Sequence, residues 1–183
     1  MARPEMFQMP LLLGLGGRPV EDSISASQGV LRDLPSGHDG GGRLVRAVSE
    51  EVIIRSASDV AKHLMRRIYT PLERLDQEEL WTLLLNNHNR LTHEVLVHRG
   101  ALHIAYVRLG ALFREAVRAN AASIILAHCH PSGDPTPSIQ DLNITEGCLE
   151  MAKLLDISLL DHLVIGNGRY VSMKESKLGF KDS

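Results

Sequence analysis

Two histidines close an apolar segment of the sequence in a pattern typical of metal binding. His128 and His130 are two residues apart, directly after a strand predicted over residues 123–127. Side chains alternate between the two faces of a strand, so both imidazoles are expected on one face and Cys129 on the other. Two neutral imidazoles on one face are good ligands for zinc.

The segment after the histidines brings a carboxylate back toward them. It is stiffened by Pro131, Pro135 and Pro137, and Asp141 lies in the first turn of a helix predicted over residues 138–155. Two histidines and one aspartate supply three protein ligands and leave a fourth position for water. This layout is typical of a catalytic zinc site rather than a closed structural one.

A zinc-bound water needs a base outside the ligand set that takes its proton and returns it. Glu78 and Glu79 precede an apolar strand predicted over residues 81–85, where a sheet edge could present one of them to the metal. Ser138 lies three residues before Asp141, and its hydroxyl could stabilise the oxyanion of a tetrahedral intermediate.

Each half of this pattern also has a purely structural explanation. Ser138 and Asp141 match a helix capping box, and histidines at strand ends are common without a metal. The combination of H-x-H, a seven-residue spacer and S-x-x-D is rarer by chance than either half, and it therefore favours the metal site. His162, on a later predicted strand, could orient a metal ligand or serve as a hydrogen-bonded structural histidine.

The elements that must position these residues form a mixed series of strands and helices. Ser58 could cap a helix that Pro71 ends, and residues 75–80 resemble an acidic helical turn. Strands are predicted over residues 81–85, 91–97, 102–107, 123–127, 157–165 and 170–173, with helices over 111–119 and 138–155. This order predicts an α/β (α+β) sandwich around a mixed β-sheet.

Composition disfavours several classes of protein. The chain has 183 residues, a formal net charge of -2 and 2 cysteines. A strongly basic nucleic-acid binder and a disulfide-rich scaffold are therefore not expected. The apolar runs are too short to span a membrane and the first residues lack the features of an export signal, so we expect a cytoplasmic protein without a membrane partner.

The first part of the chain differs in composition from the rest. Residues 1–45 contain four prolines and the run Gly40, Gly41 and Gly42, with little helical periodicity. We interpret them as a poorly ordered arm or as the degenerate remnant of an N-terminal helix-hairpin-helix module.

The stretch from His128 to Asp141 resembles the JAMM metalloprotease pattern of MPN-type domains, H-x-H-x7-S-x-x-D. It is more similar still to the RadC family, whose loop typically has the sequence H-N-H-P-S-G-D-P-x-P-S-x-x-D. Further similar segments lie at residues 112–122, 154–157, 160–166 and 168–172. The resemblance implies a RadC-type MPN/JAMM domain over residues 50–180, a three-layer sandwich with cytidine-deaminase-like architecture.

The resemblance also implies a function. It assigns Zn²⁺ as the cofactor, with His128, His130 and Asp141 as its ligands and Ser138 as the motif serine. The implied activity is that of a zinc metallopeptidase that cleaves amide or isopeptide bonds in a peptide or protein substrate.

The family's catalytic glutamate precedes the first core strand. Glu78 matches it better than the alternatives, because the bulky apolar Leu80 follows two residues later. Glu79 is the second choice, and Glu94, in the middle of a predicted strand, is a weaker candidate.

Three departures from the family pattern leave other functions open. Cys129 replaces the usual asparagine, residues 107–111 lack the familiar V-H-P-R-E, and the helix-hairpin-helix module is absent or eroded. The last departure and the near-neutral charge disfavour direct DNA binding. A DNA repair or recombination accessory that acts through DNA or a partner remains one alternative, and a non-catalytic MPN interaction module is another.

Overall fold

The fold is a mixed sheet with helices on both faces. A computed structural model describes residues 16–19, 44–69, 76–100 and 107–180. The strands are β1 (Arg18–Pro19), β2 (Leu44–Ala47), β3 (Glu79–Leu85), β4 (Leu91–Arg99), β5 (Ser123–Cys129), β6 (Ser158–Gly166) and β7 (Arg169–Ser172). The helices are α1 (Ala57–Arg67), α2 (Leu109–Arg118) and α3 (Ile139–Leu155).

The strands form one sheet in the order β1-β7-β6-β5-β3-β4-β2. Among the described strands, β5 and β6 pair in parallel and the other neighbours pair antiparallel. A parallel pair needs a crossover connection, and α3 supplies it. The end of β5 and the start of α3 are therefore held together by the topology of the sheet.

Two hydrophobic cores cover the two faces of the sheet. One contains the buried side of α1 together with Trp81, Leu83 and Cys129. The other contains the buried sides of α2 and α3 together with Leu80 and Leu126. The result is the expected three-layer α/β sandwich, with α1 on one face and α2 and α3 on the other.

Capping boxes start two of the helices. Ser56 caps α1 by accepting a hydrogen bond from the backbone N–H of Asp59, so the cap lies two residues before the predicted Ser58. Ser138 caps α3 in the same way with Asp141, as the S-x-x-D pattern predicts. Helix α3 ends at Leu155 and is followed by the capping residue Asp156, whose positive φ of 54° gives the left-handed conformation common at helix ends.

One element was predicted wrongly. Residues 76–78 are not helical, and Glu79 and Leu80 already belong to β3 rather than to an acidic helical turn. The reason is non-local: Leu80 pairs with His98 on one side and with His128 on the other. Pairing with two neighbouring strands outweighs a local preference for a helical turn.

Some expectations concern residues that the structure does not describe. The strand predicted over residues 102–107 lies there except for Val107, which is not in a strand. Most of residues 1–45 also lies outside the described ranges; within them, Arg18 and Pro19 pair with Tyr170 and Arg169. None of the helices in the described ranges is long and apolar enough to cross a membrane.

Candidate metal centre

The end of β5 places the two histidines side by side. His128 pairs with Leu80 of β3 and Val164 of β6 and is fully buried. His130 extends the contact by donating its backbone N–H to the carbonyl of Ile165 at 2.8 Å. The two Nε2 atoms lie 2.9 Å apart. Cys129 is buried in the core on the α1 side, so the predicted alternation of faces is confirmed.

The carboxylate of Asp141 takes part in two sets of contacts. Its Oδ2 accepts hydrogen bonds from the backbone N–H of Ser138 at 2.6 Å and from the Ser138 hydroxyl at 2.7 Å. Its Oδ1 lies 3.2 Å from Nε2 of His128. This Oδ1 is buried, and no described residue donates a hydrogen bond to it. Asp141 therefore caps α3 with one oxygen and faces the histidines with the other.

The partner of each Nδ1 atom determines what Nε2 can do. Nδ1 of His130 lies 2.7 Å from the carbonyl oxygen of Asp134. A carbonyl only accepts, so the proton of His130 is on Nδ1 and Nε2 carries a lone pair. Nδ1 of His128 lies 3.0 Å from Nε2 of His162, whose Nδ1 lies 2.7 Å from the hydroxyl of Thr145.

Burial and neighbouring charges keep the site in a state suited to metal binding. Burial alone would raise the pKa of Asp141, but His128, His162 and the Ser138 hydrogen bond hold this pKa well below its usual range. Burial, followed by the influence of His128, lowers the pKa of His130. The same two effects lower the pKa of His162 to about 3. Near neutral pH, Asp141 is ionised while His130 and His162 are neutral.

The three side chains fit a metal ion. One ligand atom from each of His128, His130 and Asp141 lies within 4.8 Å of the other two. Bonds of about 2.0–2.1 Å in a tetrahedral zinc site place ligand atoms about 3.3 Å apart. The observed separations of 2.9 Å and 3.2 Å are close to that spacing. The buried Oδ1 of Asp141, which has no donor among the described residues, is the atom that a cation would satisfy.

Access to the site is from the side of His130. The side chains of His128 and Asp141 are 0% and 1% exposed, whereas that of His130 is 15% exposed. A fourth ligand would therefore have to approach past His130, the most exposed of the three side chains.

Two of the three candidate glutamates lie on the opposite face of the sheet. Glu79 is buried, and its carboxylate accepts hydrogen bonds from Trp81 Nε1 and from Arg99. Glu94 is buried, lies 2.6 Å from His63 of α1 and pairs with Leu83, which belongs to the α1-side core. Both carboxylates are therefore engaged away from the histidines.

Glu78 is on the side of the histidines. The antiparallel register pairs Leu80 with His128, and two more residues of the same register would set Glu78 opposite His130. Directly opposite residues in a ladder share a face. Glu78 is partly exposed, and its negative charge acts to raise the pKa of His130, against the net shift. Of the three candidate glutamates, it is the one that the strand register sets on the face of the histidines.

Sequence reasoning missed two residues beside the site. Thr145 contacts His162, and its only sequence signal is its position one helical turn after Asp141. Gly166 packs against the backbone of Gly133 and Pro135, next to the carbonyl that holds His130. The sequence does not signal this close approach, because Gly166, Asn167 and Gly168 together predict only a hairpin turn.

Comparison with known proteins finds one matching family model and similar bacterial proteins. The family model of the RadC-like JAB domain matches residues 54–178. A UPF0758 protein of Chloroflexus aurantiacus is 49% identical over 142 residues, which are 77% of this chain and 60% of the relative. A UPF0758 protein of Roseiflexus sp. is 48% identical over 141 residues, 76% of this chain and 59% of the relative. The chain thus spans about three fifths of the length of these curated relatives.

Proposed function

The chain belongs to the RadC family of JAB-type domains, and we propose that it is a zinc-dependent hydrolase of the JAMM type that cleaves amide or isopeptide bonds. The observation that carries this proposal is the convergence of His128, His130 and Asp141 on one point, with a buried carboxylate oxygen that receives no hydrogen bond from the described residues. Three buried acceptor atoms close together, without donors between them, are unfavourable. A cation at that point would bind all three and make the arrangement stabilising.

The donor set favours zinc among the common metals. Two imidazole nitrogens and one carboxylate oxygen suit a borderline-soft ion, whereas calcium and magnesium prefer oxygen alone. Each histidine also has a partner for its other ring nitrogen, an arrangement typical of zinc-bound imidazoles.

The metal and Glu78 have different roles in the proposed hydrolysis. Bound zinc supplies an activated water and polarises the substrate carbonyl. In this scheme Glu78 would take the proton from the attacking water and return it to the leaving amine. The support for this role is the register of β3 and β5, which when continued by two residues sets Glu78 opposite His130. The substrate enters past His130, where the site is open to solvent.

Ser138 has a double role in this scheme. Its hydroxyl donates to Oδ2 of Asp141 in the described arrangement and so orients that ligand. To stabilise the oxyanion of a tetrahedral intermediate, the hydroxyl would have to rotate from Asp141 toward the substrate.

The substrate, partners and location are part of the same proposal. We expect a peptide or protein substrate. We place the protein in the cytoplasm, where its two buried free thiols, Cys129 and Cys148, stay reduced. The ligand set argues against a purely structural MPN module, and the net charge of -2 does not favour DNA as the main partner.

A turnover assay with matched variants tests the proposal. The zinc-loaded protein is assayed on quenched fluorescent peptides and on isopeptide-linked substrates, together with Glu78→Gln and the control Glu150→Gln. Glu150 is exposed on α3 and has no place in the scheme. We expect Glu78→Gln to lose at least about 100-fold in turnover with its zinc retained, and Glu150→Gln to match the wild type.

Two results would contradict the proposal. A zinc-loaded wild type without turnover on either substrate class would exclude amide and isopeptide hydrolysis of these probes. Turnover of Glu78→Gln equal to that of the wild type would remove Glu78 as the base.

A further inference from the structure

We infer that Thr145 and His162 are positioning residues that fix the ring of His128 in the tautomer able to bind a metal. The inference rests on the proposed metal site and adds two residues to it. Neither residue touches the point where the three ligand atoms meet; each acts through His128.

The direction of the hydrogen bonds begins in helix α3. The hydroxyl of Thr145 lies 2.6 Å from the backbone carbonyl oxygen of Asp141, one helical turn earlier. Threonine in a helix commonly donates to this carbonyl, which can only accept. The other neighbour of the hydroxyl, the sulfur of Met173 at 3.5 Å, is also an acceptor. The hydroxyl proton therefore points away from His162 and leaves an oxygen lone pair toward it.

The ring of His162 links the Thr145 hydroxyl to His128, so the donor–acceptor order at Thr145 determines the order at His128. Its Nδ1, 2.7 Å from the Thr145 oxygen, must donate, so a neutral His162 has a lone pair on Nε2. That lone pair lies 3.0 Å from Nδ1 of His128, which in turn must donate. The proton of His128 is thereby held on Nδ1, and its Nε2 presents a lone pair to the metal.

Burial shields these contacts from solvent. Thr145, His128 and His162 are all 0% exposed, so bulk water does not compete for their hydrogen bonds. On the other side of the ring, Nε2 of His128 lies 2.9 Å from Nε2 of His130 and 3.2 Å from Oδ1 of Asp141, the atoms with which it would share a metal ion. With the opposite order of donors, Nε2 of His128 would carry a proton and could not bind a metal. His130 needs no such chain, because the Asp134 carbonyl fixes its tautomer directly.

This series of hydrogen bonds also couples two of the proposed metal ligands. It starts at the backbone of Asp141 and ends at the ring of His128, so α3 supplies one ligand and sets the tautomer of another. The end of β5, the middle of β6 and the first two turns of α3 must therefore be in place together before the site can bind a metal.

A pair of isosteric substitutions tests the inference. Thr145→Val removes the hydroxyl from the chain. Thr82→Val makes the same change at a fully buried threonine whose hydroxyl has no hydrogen-bond partner in the described part of the structure. Zinc affinity is measured by competition with a chromophoric chelator. Imidazole ¹⁵N–¹H correlation spectra of the metal-free proteins report the tautomer of each histidine.

We expect the metal-free wild type to show His128 protonated on Nδ1. Thr145→Val should bind zinc at least about 10-fold more weakly and populate His128 protonated on Nε2, while Thr82→Val stays within about twofold of the wild type. If Thr145→Val does not fold, His162→Gln carries the test, because its amide oxygen can accept from Nδ1 of His128. This variant should keep zinc affinity within about threefold of the wild type, and His162→Leu should lose at least about 10-fold.

The two readouts separate this inference from the proposed function. Unchanged zinc affinity in a folded Thr145→Val, or an Nδ1 of His128 without a proton in the metal-free wild type, would overturn the role of these hydrogen bonds. A wild type that binds no zinc but has His128 protonated on Nδ1 would instead overturn the zinc site and leave the tautomer assignment standing.

Discussion

Oδ1 of Asp141 lies 3.2 Å from Nε2 of His128, and in the described structure this buried oxygen receives no hydrogen bond. The other oxygen of the same carboxylate accepts two hydrogen bonds from Ser138 at the start of α3. One side chain thus begins a helix and faces a pair of histidines. The capping function and the proposed ligand function use different atoms, so they can be separated by mutation.

Asp141→Asn should abolish zinc binding while it preserves the fold. The amide oxygen can still accept from Ser138, and the amide N–H can donate to the histidines. We expect zinc affinity to fall more than about 100-fold, beyond the usual loss for a supporting residue. Metal-free stability should stay within about 1 kcal/mol of the wild type, whereas Asp141→Ala also weakens the cap by about 1 kcal/mol. Zinc titration and thermal unfolding with a chelator measure both effects; zinc affinity near the wild-type value in Asp141→Asn would remove this residue from the ligand set.

Truncation of the adjacent glutamates Glu78 and Glu79 should destabilise the fold by different amounts. Glu79→Ala leaves Nε1 of Trp81 buried without its acceptor and should cost about 2 kcal/mol. Glu78→Ala removes a partly exposed side chain and should cost less than about 1 kcal/mol. Urea denaturation of the metal-free proteins compares them. The reverse order would mean that the assignment of the structural and the site-facing glutamate is mistaken.

Glu94 should contribute to stability in a pH-dependent way. Burial acts to raise the pKa of Glu94, but the hydrogen bond from His63 and the charges of His63 and Arg46 lower it below the ordinary value of 4.5. In the interval between the folded and unfolded pKa values the unfolded state binds more protons, so stability rises with pH there. The contribution is complete above about pH 4.5 and is lost as the pH falls through the lower pKa of the folded state.

The matched variant for this effect is Glu94→Gln, which cannot titrate at position 94. Urea denaturation of the metal-free proteins at a series of pH values below 6 should show a steeper loss of stability in the wild type than in Glu94→Gln. Parallel curves for the two proteins would show that the pKa of Glu94 is not lowered by folding.

Gly166→Ala should disturb the site from outside the ligand set. A Cβ atom there would lie 2.5 Å from the carbonyl oxygen of Gly133 and 2.8 Å from the backbone nitrogen of Pro135. These backbone atoms flank Asp134, whose carbonyl holds His130, so the substitution should shift His130. We expect at least about 10-fold weaker zinc binding, as for other losses of ligand support.

The control is Gly110→Ala in α2, where an added Cβ atom would have no other atom within 4 Å. This substitution should leave zinc binding unchanged and stabilise the fold by about 0.5 kcal/mol. Wild-type affinity in Gly166→Ala would show that the loop is not held by this contact.

The proposed ligands could be identified from the sequence because their geometry is local. His128 and His130 follow the period of one strand, and Asp141 follows Ser138 through a capping box. Such patterns depend on residues within four positions of each other and survive in any fold that contains them. The α/β sandwich around a mixed sheet could be anticipated from the order of predicted strands and helices, whereas its three-layer form was implied by the resemblance to MPN-type domains.

The parts that could not be predicted depend on contacts between distant segments. The start of β3 is set by its pairing with β4 and β5, and this pairing also places Glu78 and Glu79 on opposite faces. The contact of Thr145 with His162 joins α3 to β6, and the contact of His63 with Glu94 joins α1 to β4. A single sequence carries no signal for the register of such pairs, since it is set by the assembled sheet.

If the three converging side chains bind zinc, each folded chain should hold one ion, and elemental analysis measures that zinc content. Elemental analysis is applied to the wild type, to His128→Ala and to the control His88→Ala, which removes an exposed histidine in the turn between β3 and β4. We predict about one zinc per chain in the wild type and in His88→Ala, and almost none in His128→Ala. A folded wild type without zinc after incubation with the metal, or equal zinc in the wild type and His128→Ala, would show that these side chains do not form a zinc site.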